Sequence, residues 1–191
     1  MTSSNPLLSD WTTPFELPPF DAIETEHFKQ AFDVALEKSV ADVDRIAEND
    51  EAPTFENTIE AMERAGETLG DVAGVFFNLS GAHTNPDLQA IERDMAPRFA
   101  DHRSKIMLNA ALFARIDALY EMRKDLGLNA EQMRVLEKYH SNFVRAGAKL
   151  EGSERSRMAE VTKRLAVLGT SFSQNVLADE SAYELVLESA D

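Results

Sequence analysis

From Glu24 to about Ala178 the apolar residues recur at steps of three and four, a spacing that gathers them on one face of a helix and is incompatible with the alternation of a strand. Phe28, Phe32, Ala35, Leu36, Val40, Val43 and Ala47 form the first such stripe and predict a helix over residues 24–48. Pro53-Thr54 then offers a break and an N-cap. The next stripe runs through Phe55, Ile59, Met62, Gly66, Leu69, Ala73, Phe76 and Ser80, close to the 3.5-residue period of helices packed at a shallow angle, and predicts one continuous second helix.

The same rhythm returns four more times. Asn85-Pro86 places a cap before a proline at the first helical position, followed by Leu88, Ile91, Met95, Phe99, His102 and Ile106, with Pro97 expected to kink the helix. Asn109 caps a fourth helix carrying Leu112, Ile116, Leu119 and Leu126 and closed by Gly127, and the short link to Asn129 makes its neighbour antiparallel. Asn129 with Gln132 reads as a capping box opening a fifth helix through Met133, Leu136, His140 and Phe143. A sixth starts at Gly152-Ser153, carries Met158, Val161, Leu165, Leu168, Phe172 and Val176, and is expected to end near Ala178.

The flanks differ. Residues 1–23 interleave Pro6, Pro14, Pro18 and Pro19 with Trp11, Phe15, Leu17 and Phe20, which rules out a regular helix and predicts an extended arm docked on the bundle by Trp11, Phe15 and Phe20. Residues 181–191 contain the alternation Tyr183, Leu185, Leu187, which predicts a short C-terminal strand over Tyr183 to Glu188. The expected fold is all-α, an antiparallel helical bundle over residues 24–180 with an extended N-terminal arm and that strand; a solenoid of hairpins stays open. Nothing upstream offers the strand a partner, so the tail is expected to fray or to pair with a second copy, while exposed helical surfaces favour a dimer.

Charge removes several functions. A net charge of −15 argues against nucleic-acid binding, which needs Lys and Arg against phosphates, and against an anionic membrane. The charge is uneven, at −13 over residues 1–128, +3 over 129–165 and −5 beyond. That split reads as weakly attracting solvated faces or, alternatively, as a steering surface along a ligand channel. There is no cysteine, so any metal would need His and carboxylate ligands. With no secretory signal and no long apolar run, a cytoplasmic location is expected.

The search for chemistry is negative. A helical zinc pair needs a second ligand three or four residues on; the residues four after His27, His102 and His140 are Ala31, Ile106 and Val144, and no H-E-x-x-H occurs. His83 has Asp87 four on, but Asn85-Pro86 starts a helix between them. His102 and His140 read as interhelical histidines. Gly66, Gly70 and Gly74 read as close helix packing or as a hinge, not a phosphate loop. Ser80, Ser141 and Ser171 lack a nucleophile's strand-turn-helix setting, and the pairs Glu56–Glu60 and Glu60–Glu63 are ordinary for an acidic helix surface. No catalytic, cofactor-binding or metal residue is assigned.

Asn5-Pro6-Leu7-Leu8, the run Pro14 to Ile23, Thr54 to Ile59, Val75 to Asn85, Phe143 to Leu150 and Arg164 to Leu177 together resemble the N-terminal region of the thimet-oligopeptidase family, over nearly the whole chain. The resemblance implies a longer zinc metallopeptidase acting on short peptides, either as an endo-oligopeptidase or as a dipeptidyl carboxypeptidase. Its H-E-x-x-H helix and downstream glutamate ligand would lie beyond this segment, so the catalytic zinc domain is absent here. It further implies that these helices build a wall of a channel that admits short peptides, with the downstream catalytic domain as partner. Alone, the chain is expected to hydrolyse no peptide and to hold no stoichiometric zinc. The alternative is a stand-alone helical interaction module without catalysis; a reading frame continuing past Asp191 into H-E-x-x-H would decide between them.

Overall fold

A computed structural model describes residues 5–186, and every regular element among them is helical. Seven α-helices follow one another: α1 (Thr25–Ala47), α2 (Ala61–Arg64), α3 (Glu67–Ala82), α4 (Pro86–Met107), α5 (Ala110–Met122), α6 (Ala130–Ala146) and α7 (Gly152–Ala182). A π-helical turn, Phe55–Glu60, leads directly into α2.

Local chemistry explains most boundaries. The side chains of Asn85, Asn109 and Asn129 each accept backbone N–H groups of the first turn of α4, α5 and α6, satisfying donors that have no partner inside a helix. Gln132 returns a bond to the Asn129 backbone, completing a capping box, and Thr54 with Asn57 does the same for the π-turn. Gly147 ends α6 with φ of 100°, where a Cβ would also lie 2.9 Å from Leu150 Cδ1.

The second apolar stripe is not one helix. It breaks at Ala65, which is extended, and Gly66, which takes φ of 93°. A Cβ on Gly66 would sit 3.2 Å from Ser39 Oγ on α1, so this glycine answers both a left-handed turn and a close approach. Gly70 and Gly74 face open space, and close packing does not account for them. α4 continues through Pro97, and α5 stops at Met122, leaving Gly127 left-handed in the loop beyond.

Two apolar clusters fill the body. Phe28, Phe32, Leu36, Val72, Phe76, Leu88 and Met95 form one, with Phe76 set edge-on to Phe28 and Phe32 at centroid distances of 5.2 and 5.3 Å, an arrangement worth about 0.5–1.5 kcal/mol per pair beyond area burial. Val43, Ile46, Phe55, Ile59, Leu112, Ile116, Leu119, Leu136 and Phe143 form the other. α7 lies along α4 and has no buried residue.

Both flanks correct the sequence reading. The arm docks through Asn5 and Leu7: Asn5 Nδ2 donates to His27 O at 2.8 Å and Gln30 Oε1 at 3.1 Å, and Leu7 is buried beneath a half-buried Trp11. Phe15 is 94% exposed and Phe20 about half exposed, so neither is an anchor. A residue between prolines can aim outward as readily as inward, and three short 3₁₀ turns fix the path here. At the other end the helix runs to Ala182 and Tyr183 to Val186 form no strand, because no described strand offers a ladder of hydrogen bonds to complete it. Leu187 and Glu188 lie outside the described residues.

Candidate functional site

Three of the four histidine side chains hold contacts within the fold. His27 Nδ1 accepts the Glu24 backbone N–H at 3.0 Å, closing the capping box of α1. His83 is the C-cap of α3, while Asp87 sits in the first turn of α4, where the helix dipole favours an acid. His140 Nε2 lies 2.9 Å from Asp117 Oδ1, its ring stacked on Tyr120 at 3.8 Å with a 4° interplanar angle. His102 Nε2 lies 3.1 Å from the Ser39 hydroxyl, so the Ser39–Gly66 approach extends into a polar seam joining α1, the α2–α3 break and α4. Burial, with a smaller push from Lys105, holds His102 below the ordinary histidine range.

His102 also edges a groove of about 560 Å³ between α1 and α4, lined by Asp33, Glu37, Asp44, Arg98, Asp101 and Lys105 around Leu36, Val40 and Ala41. Arg98 binds Asp33 at 2.5 Å, and Lys163 of α7 reaches Asp101 at 2.6 Å. The groove is wide, and Glu37, Asp44 and Lys105 make no ion pair with the described residues; it offers no nucleophile poised beside a base. A second hollow of about 320 Å³ among α4, α6 and α7 carries Arg103, Asn142, Arg145 and Thr162. The two arginines make no ion pair with the described residues.

Other polar residues are absorbed by packing. Glu60 meets Arg64 at 3.3 Å, and Glu63 accepts the Tyr139 hydroxyl at 2.5 Å; burial and that bond raise the tyrosine above its ordinary range. Ser171 Oγ donates to Val167 O within its own helix. Arg115 escaped the sequence reading. It is 8% exposed and donates to Asn49 O at 2.7 Å, Glu51 O at 2.9 Å and Asn57 Oδ1 at 2.9 Å, clamping the loop between α1 and the π-turn. Its signal was present: a cation three after Leu112 and four before Leu119, in phase with an apolar stripe.

Among the described residues no three His, Asp or Glu side chains are placed to hold one metal ion, and no helix is long and apolar enough to cross a membrane. Zinc, which the resemblance implies, therefore finds no fitting donor set here, and no chemical step is derived through it.

A helical framework with shallow grooves on its helix faces is what fold and surface define, and the known proteins that it is similar to are peptidases. No family model matches the chain. It is 38% identical over 187 residues to a dipeptidyl carboxypeptidase of Escherichia coli K12, covering 98% of this chain and 28% of that protein. It is 27% identical over 174 residues to oligopeptidase A of the same organism, covering 91% of this chain and 25% of that one. It is 25% identical over 185 residues to the organellar oligopeptidase A of Arabidopsis thaliana, covering 97% and 23%. Over nearly its whole length the chain is similar to members of the thimet-oligopeptidase family. It spans about a quarter of the length of the relatives it matches.

Proposed function

We propose that this chain is the non-catalytic N-terminal helical domain of a cytoplasmic zinc-dependent oligopeptidase or peptidyl-dipeptidase that hydrolyses short peptides. In this reading the arm, the helical body and the tail restrict substrate access and shape the peptide channel, and a downstream catalytic domain is the partner that carries zinc. The observation that supports it is the 38% identity spread over 98% of the chain but only 28% of the relative. Likeness of that extent is what a shared domain produces. Channel walls need stiffness more than special side chains, and α4 and α7, of 22 and 31 residues, supply packed edges of roughly 33 and 46 Å at 1.5 Å per residue.

The test is a chimera in which this chain replaces the matching segment of the E. coli dipeptidyl carboxypeptidase. Hydrolysis of short peptides and rejection of folded proteins should both survive, while the isolated chain cleaves nothing and binds no stoichiometric zinc. A folded, zinc-loaded chimera that is inert would count against the reading. The bare apolar face of α7 favours one alternative, a stand-alone interaction module, for which the isolated chain would capture a helical partner at full affinity.

A further inference from the structure

α7 is the longest helix among the described residues, yet both apolar clusters close without it. None of its 31 residues is buried, and neither cluster contains a residue of α7 or has one packed against it. The second cluster takes Ala148 as its last member and so ends before the helix starts.

The seat on which α7 rests is shallow. Met158, Ala159, Thr162, Ala166, Thr170 and Gln174 are half-buried, and the four small side chains among them let α7 lie close to α4 while removing little apolar surface from water. A hollow of about 320 Å³ stays open beside Met158, Ala159 and Thr162, with α4 and α6 as its other walls, and dispersion forces find no partner across such a gap. Beyond Gln174 every residue of the helix is exposed.

What fixes α7 is polar and close to water. Lys163 reaches Asp101 at 2.6 Å with both side chains about half exposed, and Gln174 donates to Gln89 O at 3.1 Å and Glu92 Oε2 at 2.8 Å while accepting from Arg93 at 2.7 Å. Solvent and salt compete with such bonds. The linker before the helix is bracketed by Gly147 and Gly152, at φ of 100° and 50°, and Arg155 Nε donates to Leu150 O at 2.9 Å, so the first turn of α7 is tied to the linker.

We propose that α7 opens from the body as one rigid helix, pivoting on residues 149–152, while residues 5–148 keep both clusters. A segment opens at low free energy when it holds few buried apolar contacts and its bonds are exposed, and α7 combines the two. Opening lifts one wall from the hollow, which makes α7 a lid over Arg103, Asn142 and Arg145 whose closure rests on the bonds at Asp101 and Gln174. The motion follows from contacts within the chain and does not depend on the peptidase reading; within that reading α7 is a stiff wall that moves in one piece.

The chain has no cysteine, so cysteines introduced in pairs allow distances between two spin labels to be read in the whole chain. Labels at Glu121→Cys on α5 and Asp179→Cys on α7 should give two distance populations, closed and open. Lys163→Ala combined with Gln174→Ala should raise the open one several-fold, with unchanged helical circular dichroism. Higher ionic strength should move it the same way, because the Asp101 pair is screened. Labels at Lys29→Cys and Glu121→Cys, both on the body, should keep one narrow distance. So should Ser156→Cys with Asp179→Cys inside α7, whose backbones lie roughly 35 Å apart at 1.5 Å per residue. A single narrow α5–α7 distance that the double alanine variant leaves unmoved would overturn the proposal. Broadening of the body pair would do so too, since the body would be unfolding, as would broadening of the pair inside α7, since the helix would be melting instead of swinging.

Discussion

Phe76 and Phe172 sit on apolar stripes of the same helical rhythm, yet Phe76 is wholly buried among Phe28, Phe32 and Leu88 while Phe172 looks into solvent. The body and α7 thus differ in what covers the stripe, not in how the stripe is written. Periodicity states which face of a helix is apolar; it does not state whether the cover comes from the same chain. That is why α1 and α3 earn their burial inside the fold and α7 keeps a bare face.

The contrast can be broken most forcefully at its two phenylalanines. Phe76→Ala removes a ring from a packed aromatic cluster and should cost about 3–5 kcal/mol, whereas Phe172→Ala should stay within about 0.5 kcal/mol. Urea denaturation of both variants decides it, and comparable losses would mean that α7 is covered after all. Gly66→Ala is the next lever. Forcing a Cβ into a left-handed residue costs about 1–2 kcal/mol, and the Ser39 hydroxyl 3.2 Å away adds to it. Gly74→Ala, in open space on a helix, should be neutral or stabilising by up to about 1 kcal/mol.

The smallest effect is one of acidity. Because burial lowers His102 in the folded chain, the unfolded chain binds the proton more readily below the ordinary value of 6.5. The sign follows: the neutral ring's contribution is complete above that value and is lost as pH falls from it toward the lower folded one. Replacing His102 by Gln should flatten the acid limb of the stability profile in that window, with Lys105, Asp101, Asp44 and Glu37 of the groove unchanged. An identical slope in both proteins would remove the histidine from the balance.

What the sequence made legible was local. The caps at Thr54, Asn85, Asn109 and Asn129 could be placed because the bonds that make them span three residues, and the all-α body follows from the stripes between them. Gly66 was hidden because the apolar rhythm continues across the break, so nothing in the spacing marked a change of direction. Phe15, Phe20 and the strand expected at Tyr183 failed for one shared reason: each needs a neighbour distant in sequence, and propensity alone cannot supply it. Arg115 was readable as a cation out of place on α5, although its partners lie 58 to 66 residues away. The grooves hold no constellation that pattern reading had missed; the functional class came from likeness spread over the chain.

α1 is the one described element that gives buried side chains to both apolar clusters, Phe28, Ala31, Phe32, Ala35 and Leu36 to the first and Val43 and Ile46 to the second, and the Ser39–Gly66–His102 seam lies where it passes between them. The molecule is therefore two cooperative blocks threaded on a single shaft. Amide protons of α3 and of α5–α6 need not be released at the same free energy, and the shaft's own midpoint sets how far opening in one block is felt by the other.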